Sequence, residues 1–189
     1  MRKKLVLEKV TIEEVAAEGK TLARIDNKVL FIRGGAPGDV VDVRVTNKRK
    51  SFYEGVILDF HEMSEHRIEP TCSHFGTCGG CKWQHLPYSM QLAFKEKQVI
   101  DNFERLGNFE VPSVTPILGS TEEYFYRNKL EFTFSDSRWL TKEEIDSGAE
   151  FERNALGFHI PGRFDKILEI EKCYLQPEPS NEIRNWVRA

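Results

Sequence analysis

Long hydrophobic runs are missing from this sequence of 189 residues. No apolar stretch approaches the roughly 18 residues that a membrane-spanning helix needs, so the sequence predicts no membrane partner. The first residues are basic enough to begin a signal peptide, but Glu8 and Lys9 interrupt the apolar stretch that would have to follow. We therefore expect a soluble, cytoplasmic protein.

A large excess of charge of either sign is also missing. The chain has 27 Lys and Arg against 30 Asp and Glu, a net charge of −3, which argues against a protein that coats nucleic acid over its whole surface. The balance is uneven, because residues 1–60 contain 12 Lys and Arg against 9 Asp and Glu, and residues 61–189 contain 15 against 21. The basic first third weakly indicates a polyanionic partner.

Cysteine is scarce, and the four that occur are unevenly placed. Cys72, Cys78 and Cys81 fall within ten residues, and Cys173 follows after 91 others. A cytosolic chain does not favour a disulfide framework, whereas a Cys-x2-Cys pair can place two thiolates on one metal. Ordinary buried thiols, a structural zinc site and a [4Fe–4S] cluster all remain open. The three-plus-one spacing favours the cluster, because structural zinc usually gathers two such pairs.

Short alternating segments dominate the first 60 residues. Apolar and polar side chains alternate between turn signals such as residues 26–27 and 34–39, which predicts a small closed or nearly closed β-barrel. Its five predicted strands are residues 4–15, 21–25, 29–32, 41–45 and 52–60, and the alternation in the first of them has one break.

The remainder of the chain has a mixed pattern. Residues 61–71 form a connector, and Leu92, Val99, Phe103 and Leu106 predict one face of a helix over 88–106, ended by Gly107. Alternation and turns further along predict strands and short helices. These are strands at 124–134, 156–160 and 166–170, a short helix or loop at 141–150, and a helix with its N-cap at Ser180.

A basic tract with aromatic neighbours lies at the predicted hairpin before the last barrel strand. Lys48, Arg49 and Lys50 could neutralise phosphates while Phe52 and Tyr53 stack on bases, which is typical of RNA binding. The alternative is a solvated hairpin tip whose Phe52 belongs to the core.

Weaker candidates of the same kind occur downstream. Arg127 and Lys129 are a second possible RNA contact and Arg163 a third, although each could be ordinary strand-end charge. His74 and His85 flank the cysteines, and a hydrogen-bonding role is favoured over a ligand role for both.

Several segments together resemble the RNA (uracil-5-)-methyltransferases that carry a [4Fe–4S] cluster, of the 23S ribosomal RNA type. The segment Cys-Ser-His-Phe-Gly-Thr-Cys-Gly-Gly-Cys at 72–81 is the most specific. Matching segments follow in the family's order at 83–88, 91–97, 126–129, 156–158 and 173–175. The barrel likewise resembles the TRAM domain that precedes the cluster in that family.

The resemblance implies a fold class of β plus α/β: a five-stranded, OB-like TRAM barrel followed by a small mixed α/β domain with a four-cysteine metal site. It implies three segments: residues 1–62 as RNA-binding barrel, 63–180 as iron–sulfur domain, and 181–189 as the start of a C-terminal methyltransferase domain. It also implies a monomer that acts on RNA, with ribosomal favoured over transfer RNA.

The family's chemistry needs parts that this sequence lacks. In the family, a cysteine adds to C6 of a flipped-out uridine, S-adenosylmethionine supplies the methyl group to C5, and a base removes the C5 proton. Here no G-x-G-x-x-G follows a strand, residues 34–38 read as a turn, and the four cysteines are all assigned to metal. We therefore expect the N-terminal portion of a longer transferase, itself inactive and unable to bind S-adenosylmethionine.

Two other readings of the sequence stay open. The first is a free-standing, zinc-stabilised RNA-binding module without catalysis. The second is an accessory region of a radical enzyme. This reading is disfavoured because the cluster of those enzymes, which has an open iron, follows a Cys-x3-Cys-x2-Cys pattern, whereas the first gap here is x5 and a fourth cysteine is present.

Overall fold

The computed structural model describes residues 5–189, in two compact units. The first comprises the chain up to Glu69 together with Trp83–Gly119, and the second comprises Pro70–Lys82 together with Ser120–Ala189. The basic start of the chain, including Lys4 of the first predicted strand, lies outside the described residues. Among residues 5–189, no helix has the length and apolar character needed to cross a membrane.

The first unit contains a curled sheet of six strands in the order β1-β5-β6-β4-β3-β2, where β4 and β6 are parallel and the other pairs antiparallel. The strands are β1 (Val6–Thr11), β2 (Glu14–Val15), β3 (Lys20–Ile25), β4 (Lys28–Arg33), β5 (Val40–Lys48) and β6 (Phe52–Glu62). Side-chain alternation explains the core, because Leu30, Ile32, Val41 and Val43 point to one face and have no exposed surface. This confirms a β-barrel type of fold.

The first predicted strand is two strands, which corrects the expected count of five. Ile12 leaves the ladder: its N–H donates to the carbonyl of Asp39, 2.9 Å away, and the Glu13 N–H donates to Leu22 at 2.9 Å. Only these two residues separate β1 from β2, yet β1 and β2 are the two edges of the sheet. Such a short connection requires the edges to lie close together, so the sheet is almost closed.

A buried carboxylate fastens the chain after β6 to the barrel. Asp39 is completely buried and accepts from the N–H groups of Ala36 (2.6 Å) and Ser64 (2.8 Å). Arg67 adds a two-pronged contact, with Nε 2.8 Å from Oδ1 and Nη2 2.7 Å from Oδ2. Burial alone would raise the pKa of Asp39, but these hydrogen bonds and the Arg67 charge outweigh it and lower the pKa below its usual value.

The predicted helix after the cysteine-rich loop is present as α1 (Tyr88–Arg105). Its expected apolar face is not a core face, since Val99 and Phe103 are about half exposed and Leu106, just past the helix end, is 82% exposed. Leu92 is half-buried and lies near Gly119, further along the same unit. The 3.6-residue period therefore identified the helix correctly but not its burial.

The second unit contains a three-stranded antiparallel sheet in the order β7-β8-β9 and two helices. The elements are β7 (Thr133–Ser135), α2 (Lys142–Ser147), β8 (Ala155–Ile160), β9 (Arg163–Glu169) and α3 (Ser180–Arg188). Thr141 starts α2 with a reciprocal pair of hydrogen bonds to Glu144, a capping box that explains why a helix forms in this polar stretch.

Two expectations for this unit need correction. Residues 124–132 are not a strand, and only Thr133–Ser135 pairs with β8. The predicted cap of the last helix is also displaced, because Ser180 is the first residue of α3 and the preceding Pro179 makes no side-chain cap. The strands predicted at 156–160 and 166–170 are confirmed as β8 and β9.

Candidate metal centre and nucleic-acid interface

The four cysteines all belong to the second unit. Cys72, Cys78 and Cys81 are half-buried in a loop, and Cys173 follows β9 and is only 8% exposed. Backbone hydrogen bonds fold the loop into successive turns, from the Phe75 N–H to the carbonyl of Cys72 (3.0 Å) and from the Cys78 N–H to the carbonyl of His74 (2.8 Å). The loop thus folds back on itself within ten residues.

The fold brings Cys78 close to the other three cysteines. Its side chain packs on a buried cluster that includes Ile160, Leu168 and Cys173. Burial raises the pKa of Cys78, a hydrogen bond from Gly80 lowers it, and the nearby charges of Cys81, Cys72 and Cys173 raise it further. All four predicted ligands therefore lie in one neighbourhood, although Cys173 is distant in sequence.

The same thiols are not arranged as a finished metal site. Within residues 5–189, no three Cys, His, Asp or Glu side chains converge in a geometry that would hold a metal ion. The donor chemistry nevertheless fits a thiolate-bound metal, since the Gly80 N–H points at Cys78 Sγ from 3.4 Å, a contact that stabilises metal-bound sulfur. A metal centre is consequently a proposal for this chain.

The glycine pair of the loop has a steric role. A Cβ added to Gly79 would lie 3.0 Å from the carbonyl oxygen of His159 and 3.4 Å from Pro161. The loop between Cys78 and Cys81 can therefore pack directly against the end of β8, which places it next to the cluster containing Cys173.

Helix α3 holds Cys173 and the residues before it through two polar side chains that sequence reasoning missed. Asn181 accepts from the Cys173 N–H at 2.8 Å and donates to the Cys173 carbonyl at 3.0 Å. Arg184, also buried, donates to the carbonyls of Ile170 and Glu171. The only sequence signal is the spacing of three residues, which puts both side chains on one helix face.

The two histidines near the cysteines make different hydrogen bonds. His74 Nε2 accepts from the N–H of Glu171 at 3.0 Å, which requires a neutral ring with its proton on Nδ1. Burial lowers the pKa of His74, consistent with that neutral form. In the first unit, His85 Nε2 donates to the carbonyl of Gly35 at 2.8 Å. These contacts agree with the favoured hydrogen-bonding roles.

The basic tract of the barrel lies at the β5–β6 hairpin. Lys48, Arg49 and Lys50 are exposed, and the Arg49 N–H closes the turn on the carbonyl of Phe52 at 2.9 Å. Lys28, which sequence reasoning missed, lies nearby with its ammonium 4.8 Å from the centre of the Tyr53 ring. The structure thus adds a fourth cation to the predicted tract.

The two aromatic residues of this hairpin are less available than expected. Tyr53 is 8% exposed and belongs to the barrel core, with the ammonium of Lys48 5.5 Å from its ring centre. Phe52 is half-buried and packs edge-on against Phe31 at 5.8 Å. Both rings support the hairpin from within, so they offer little face for base stacking.

The weaker candidates all belong to the second unit. Arg127 is exposed, and its N–H donates to the carbonyl of Leu175 at 2.8 Å. Lys129 forms an exposed ion pair with Glu131 at 2.8 Å, which offsets its charge. Arg163 is exposed at the start of β9. These three cations are therefore carried by a different unit from the β5–β6 hairpin.

Comparison with known proteins finds a match for the barrel alone and further matches for nearly the whole chain. Residues 8–58 match the TRAM domain. A protein of Bacteroides thetaiotaomicron named "Uncharacterized RNA methyltransferase" is 53% identical over 175 residues, or 92% of this chain. A protein of the same name from Porphyromonas gingivalis is 50% identical over 181 residues, or 94% of this chain. This chain is homologous to one part of these proteins named RNA methyltransferase.

The match covers only part of those relatives. The chain spans 38% of the Bacteroides thetaiotaomicron RNA methyltransferase and 39% of the Porphyromonas gingivalis protein. The fold is also similar to the crystal structure of a tRNA (uracil-54, C5)-methyltransferase from Pyrococcus abyssi, with a TM-score of 0.54 and 22% identity over 95% of this chain and 35% of that one. This likeness shows a shared fold.

Proposed function

We propose that this chain is the RNA-binding and iron–sulfur portion of an S-adenosylmethionine-dependent enzyme that methylates C5 of a uridine in RNA. The observation that carries the proposal is the combination of a TRAM domain with relatives named RNA methyltransferase, in a chain that gathers four cysteines in one unit. The activity belongs to the complete protein, of which this chain supplies recognition and structural stability.

The proposed [4Fe–4S] cluster would be held by Cys72, Cys78, Cys81 and Cys173. Support comes from the thiol-only donor set and from the closeness of the other three cysteines to Cys78. With four protein thiolates, each iron has its protein ligand, so a bound cluster would cross-link the loop to the end of β9. The role of these cysteines is then to fix the second unit, and the reaction uses no iron.

The proposed RNA contact of the barrel is the exposed cationic hairpin. Lys48, Arg49 and Lys50, with Lys28 beside them, can neutralise phosphates, and the ammonium groups of Lys28 and Lys48 lie over the buried Tyr53 ring. Phe52 and Tyr53 contribute to RNA binding by supporting the hairpin. Arg127, Lys129 and Arg163 are proposed as further contacts on the second unit.

The proposed substrate is a uridine in ribosomal RNA, exposed in a loop or bulge where flipping costs least. The resemblance of the cysteine segment to the cluster-bearing branch of the family supports ribosomal over transfer RNA. S-adenosylmethionine would supply the methyl group, and no residue of this chain is assigned to bind it or to act as nucleophile or base.

The chain's own part is tested by purifying it without oxygen and measuring iron, sulfide, zinc and RNA affinity together. We expect a brown protein with absorbance near about 400 nm, about four irons per chain, and salt-dependent binding to single-stranded RNA. A colourless protein with one zinc would replace the cluster by a zinc site. A chain that binds no RNA would contradict the proposed function.

A further inference from the structure

A groove of about 590 Å³ lies on the second unit beside the cysteine loop. It is lined by Gly79, Gly80 and Lys82 from the loop and by residues 158–164 from the β8–β9 hairpin. The close approach of Gly79 to the carbonyl of His159 holds these two segments together. The groove is therefore formed by one packed substructure and has a size typical of small-ligand sites.

An aromatic ring is presented to solvent at this groove. Phe164 is 87% exposed, the most exposed of the phenylalanines, and it lies in β9 at the hairpin end where the β8–β9 register shifts. A turn at Pro161-Gly162, where Gly162 has a φ of +78°, sets the hairpin end that carries it. Phe158, also in the lining, is stacked on Phe132 at 4.7 Å. Phe164 thus offers a free ring face.

The charge of the groove is opposite to that of the unit around it. The second unit contains 11 Lys and Arg against 14 Asp and Glu. Among the lining residues, however, Lys82 and Arg163 are cations and none is acidic. Both are exposed, so their charges are available to a ligand from solution. The groove is a locally positive site on an acidic background.

We propose that this groove binds a single-stranded segment of the RNA substrate, with one base stacked on Phe164 and phosphates contacted by Lys82 and Arg163. An exposed aromatic face beside cations is the combination by which proteins hold single strands. The proposal rests on the proposed function and adds a second RNA contact, on the unit that contains the cysteines. It extends the predicted role of Arg163 to Lys82 and Phe164.

The test measures the affinity of the intact chain for a fluorescent uridine-rich oligonucleotide by anisotropy. Phe164→Ala is expected to weaken binding at least about five-fold, because base–aromatic stacking contributes measurably at each base, and Phe164→Tyr is expected to restore it. Phe134→Ala removes a phenylalanine that is 63% exposed elsewhere on the same sheet and is expected to change nothing. Thermal melting of each variant verifies the fold.

The cations are tested through salt dependence. Changing Lys82 and Arg163 together to Ala is expected to reduce the slope of log affinity against log salt by about 1.4. Each of the two lost phosphate contacts on a single strand contributes about 0.7 to this slope. Changing Lys142 and Arg153 to Ala removes equal charge from exposed positions outside the groove and is expected to leave the slope nearly unchanged.

Photo-crosslinking locates the RNA directly. An oligonucleotide with 5-iodouridine is expected to crosslink to the peptide containing Phe164, as mapped by mass spectrometry. If the chain binds RNA but Phe164→Ala has no effect and no crosslink forms there, the groove assignment is overturned while the proposed function stands. If the unaltered chain binds no RNA, both proposals fail. Binding of a protein instead of RNA at Phe164 would overturn the groove assignment alone.

Discussion

Both backbone polar groups of Cys173 are hydrogen-bonded to one side chain, the buried amide of Asn181. The N–H of Cys173 and the oxygen of the amide are 2.8 Å apart, and the nitrogen of the amide is 3.0 Å from the Cys173 carbonyl. An amide is suited to this task because it carries a donor and an acceptor together. The backbone at the fourth cysteine is thereby fixed by α3, independently of any metal.

Asn181→Ala is expected to lower the free energy of unfolding of the chain by about 1–3 kcal/mol, because it leaves a buried N–H and a buried carbonyl without partners. Urea denaturation of the metal-free chain measures the change. Asn181→Asp keeps the acceptor and loses the donor, so we expect this variant to retain only part of the stability.

The matched control on the same helix is Asn185→Ala. Asn185 is exposed, and its side chain makes one long contact, 3.4 Å to the carbonyl of Glu171. Its loss is expected to change the unfolding free energy by less than about 0.5 kcal/mol. Equal effects of the two substitutions would show that Asn181 does not hold Cys173.

Asp39→Asn is expected to destabilise the first unit by about 2–3 kcal/mol, since it leaves the Arg67 guanidinium without its charged partner. The expected destabilisation is smaller than for the loss of a fully buried ion pair, because the Arg67 side chain remains 21% exposed. Urea denaturation at pH 7 measures it. Asp26→Asn, at the exposed β3–β4 turn, is the control and is expected to be nearly neutral.

The pH dependence of stability gives a separate test of Asp39. Its pKa in the folded chain is lower than the usual 3.8, so the unfolded chain binds the proton more readily. The stability from Asp39 is then present above pH 3.8 and is lost as the pH falls through the lower folded pKa. Asp39→Asn is expected to flatten the loss of unfolding free energy below about pH 5. An unchanged acid profile would contradict the assignment.

Replacing Lys48, Arg49 and Lys50 together by Ala is expected to weaken RNA binding and flatten its salt dependence. Each lost phosphate contact on single-stranded RNA lowers the slope of log affinity against log salt by about 0.7. Anisotropy titrations at several salt concentrations measure both quantities.

The control for this triple variant changes Arg105, Lys142 and Arg153 to Ala, which removes the same charge from exposed positions that do not belong to the hairpin. Its slope is expected to stay close to that of the unaltered chain. If the two triple variants behave alike, the RNA contact follows overall charge and the hairpin has no special role.

Cys173→Ser is expected to reduce the iron content of the anaerobically purified chain and to lower its melting temperature, because the loop would lose its link to the end of β9. Ser73→Ala, beside Cys72 but without a thiol, is the control. Iron content and melting unchanged by Cys173→Ser would exclude Cys173 as a ligand.

The sequence was most informative where local pattern and burial agree. Alternation predicted the strands that carry Leu30, Ile32, Val41 and Val43, and all four side chains are fully buried in the barrel core. The alternation within residues 4–15 has one break, but it did not predict two separate strands there, because the division into β1 and β2 depends on a hydrogen bond from Ile12 to Asp39, which is remote in sequence. Pairing across such distances leaves no local signal.

Helix α3 shows that a sequence pattern can predict the wrong buried face of a helix. Its apolar side chains Ile183, Trp186 and Val187 are 58%, 81% and 47% exposed, while Asn181 and Arg184 are buried. A hydrophobic pattern alone would assign the opposite faces. The inversion arises because the chain around Cys173 presents backbone groups that need polar partners, and these exist only in the folded unit.

The most direct test of the proposed activity is a nucleoside analysis of RNA treated with the complete protein that contains this chain. Ribosomal RNA and transfer RNA lacking 5-methyluridine are each incubated with S-adenosylmethionine carrying a labelled methyl group, then digested and examined by mass spectrometry. We predict labelled 5-methyluridine in the ribosomal RNA. A labelled methyl group on another base or position, or no transfer to either RNA, would contradict the account.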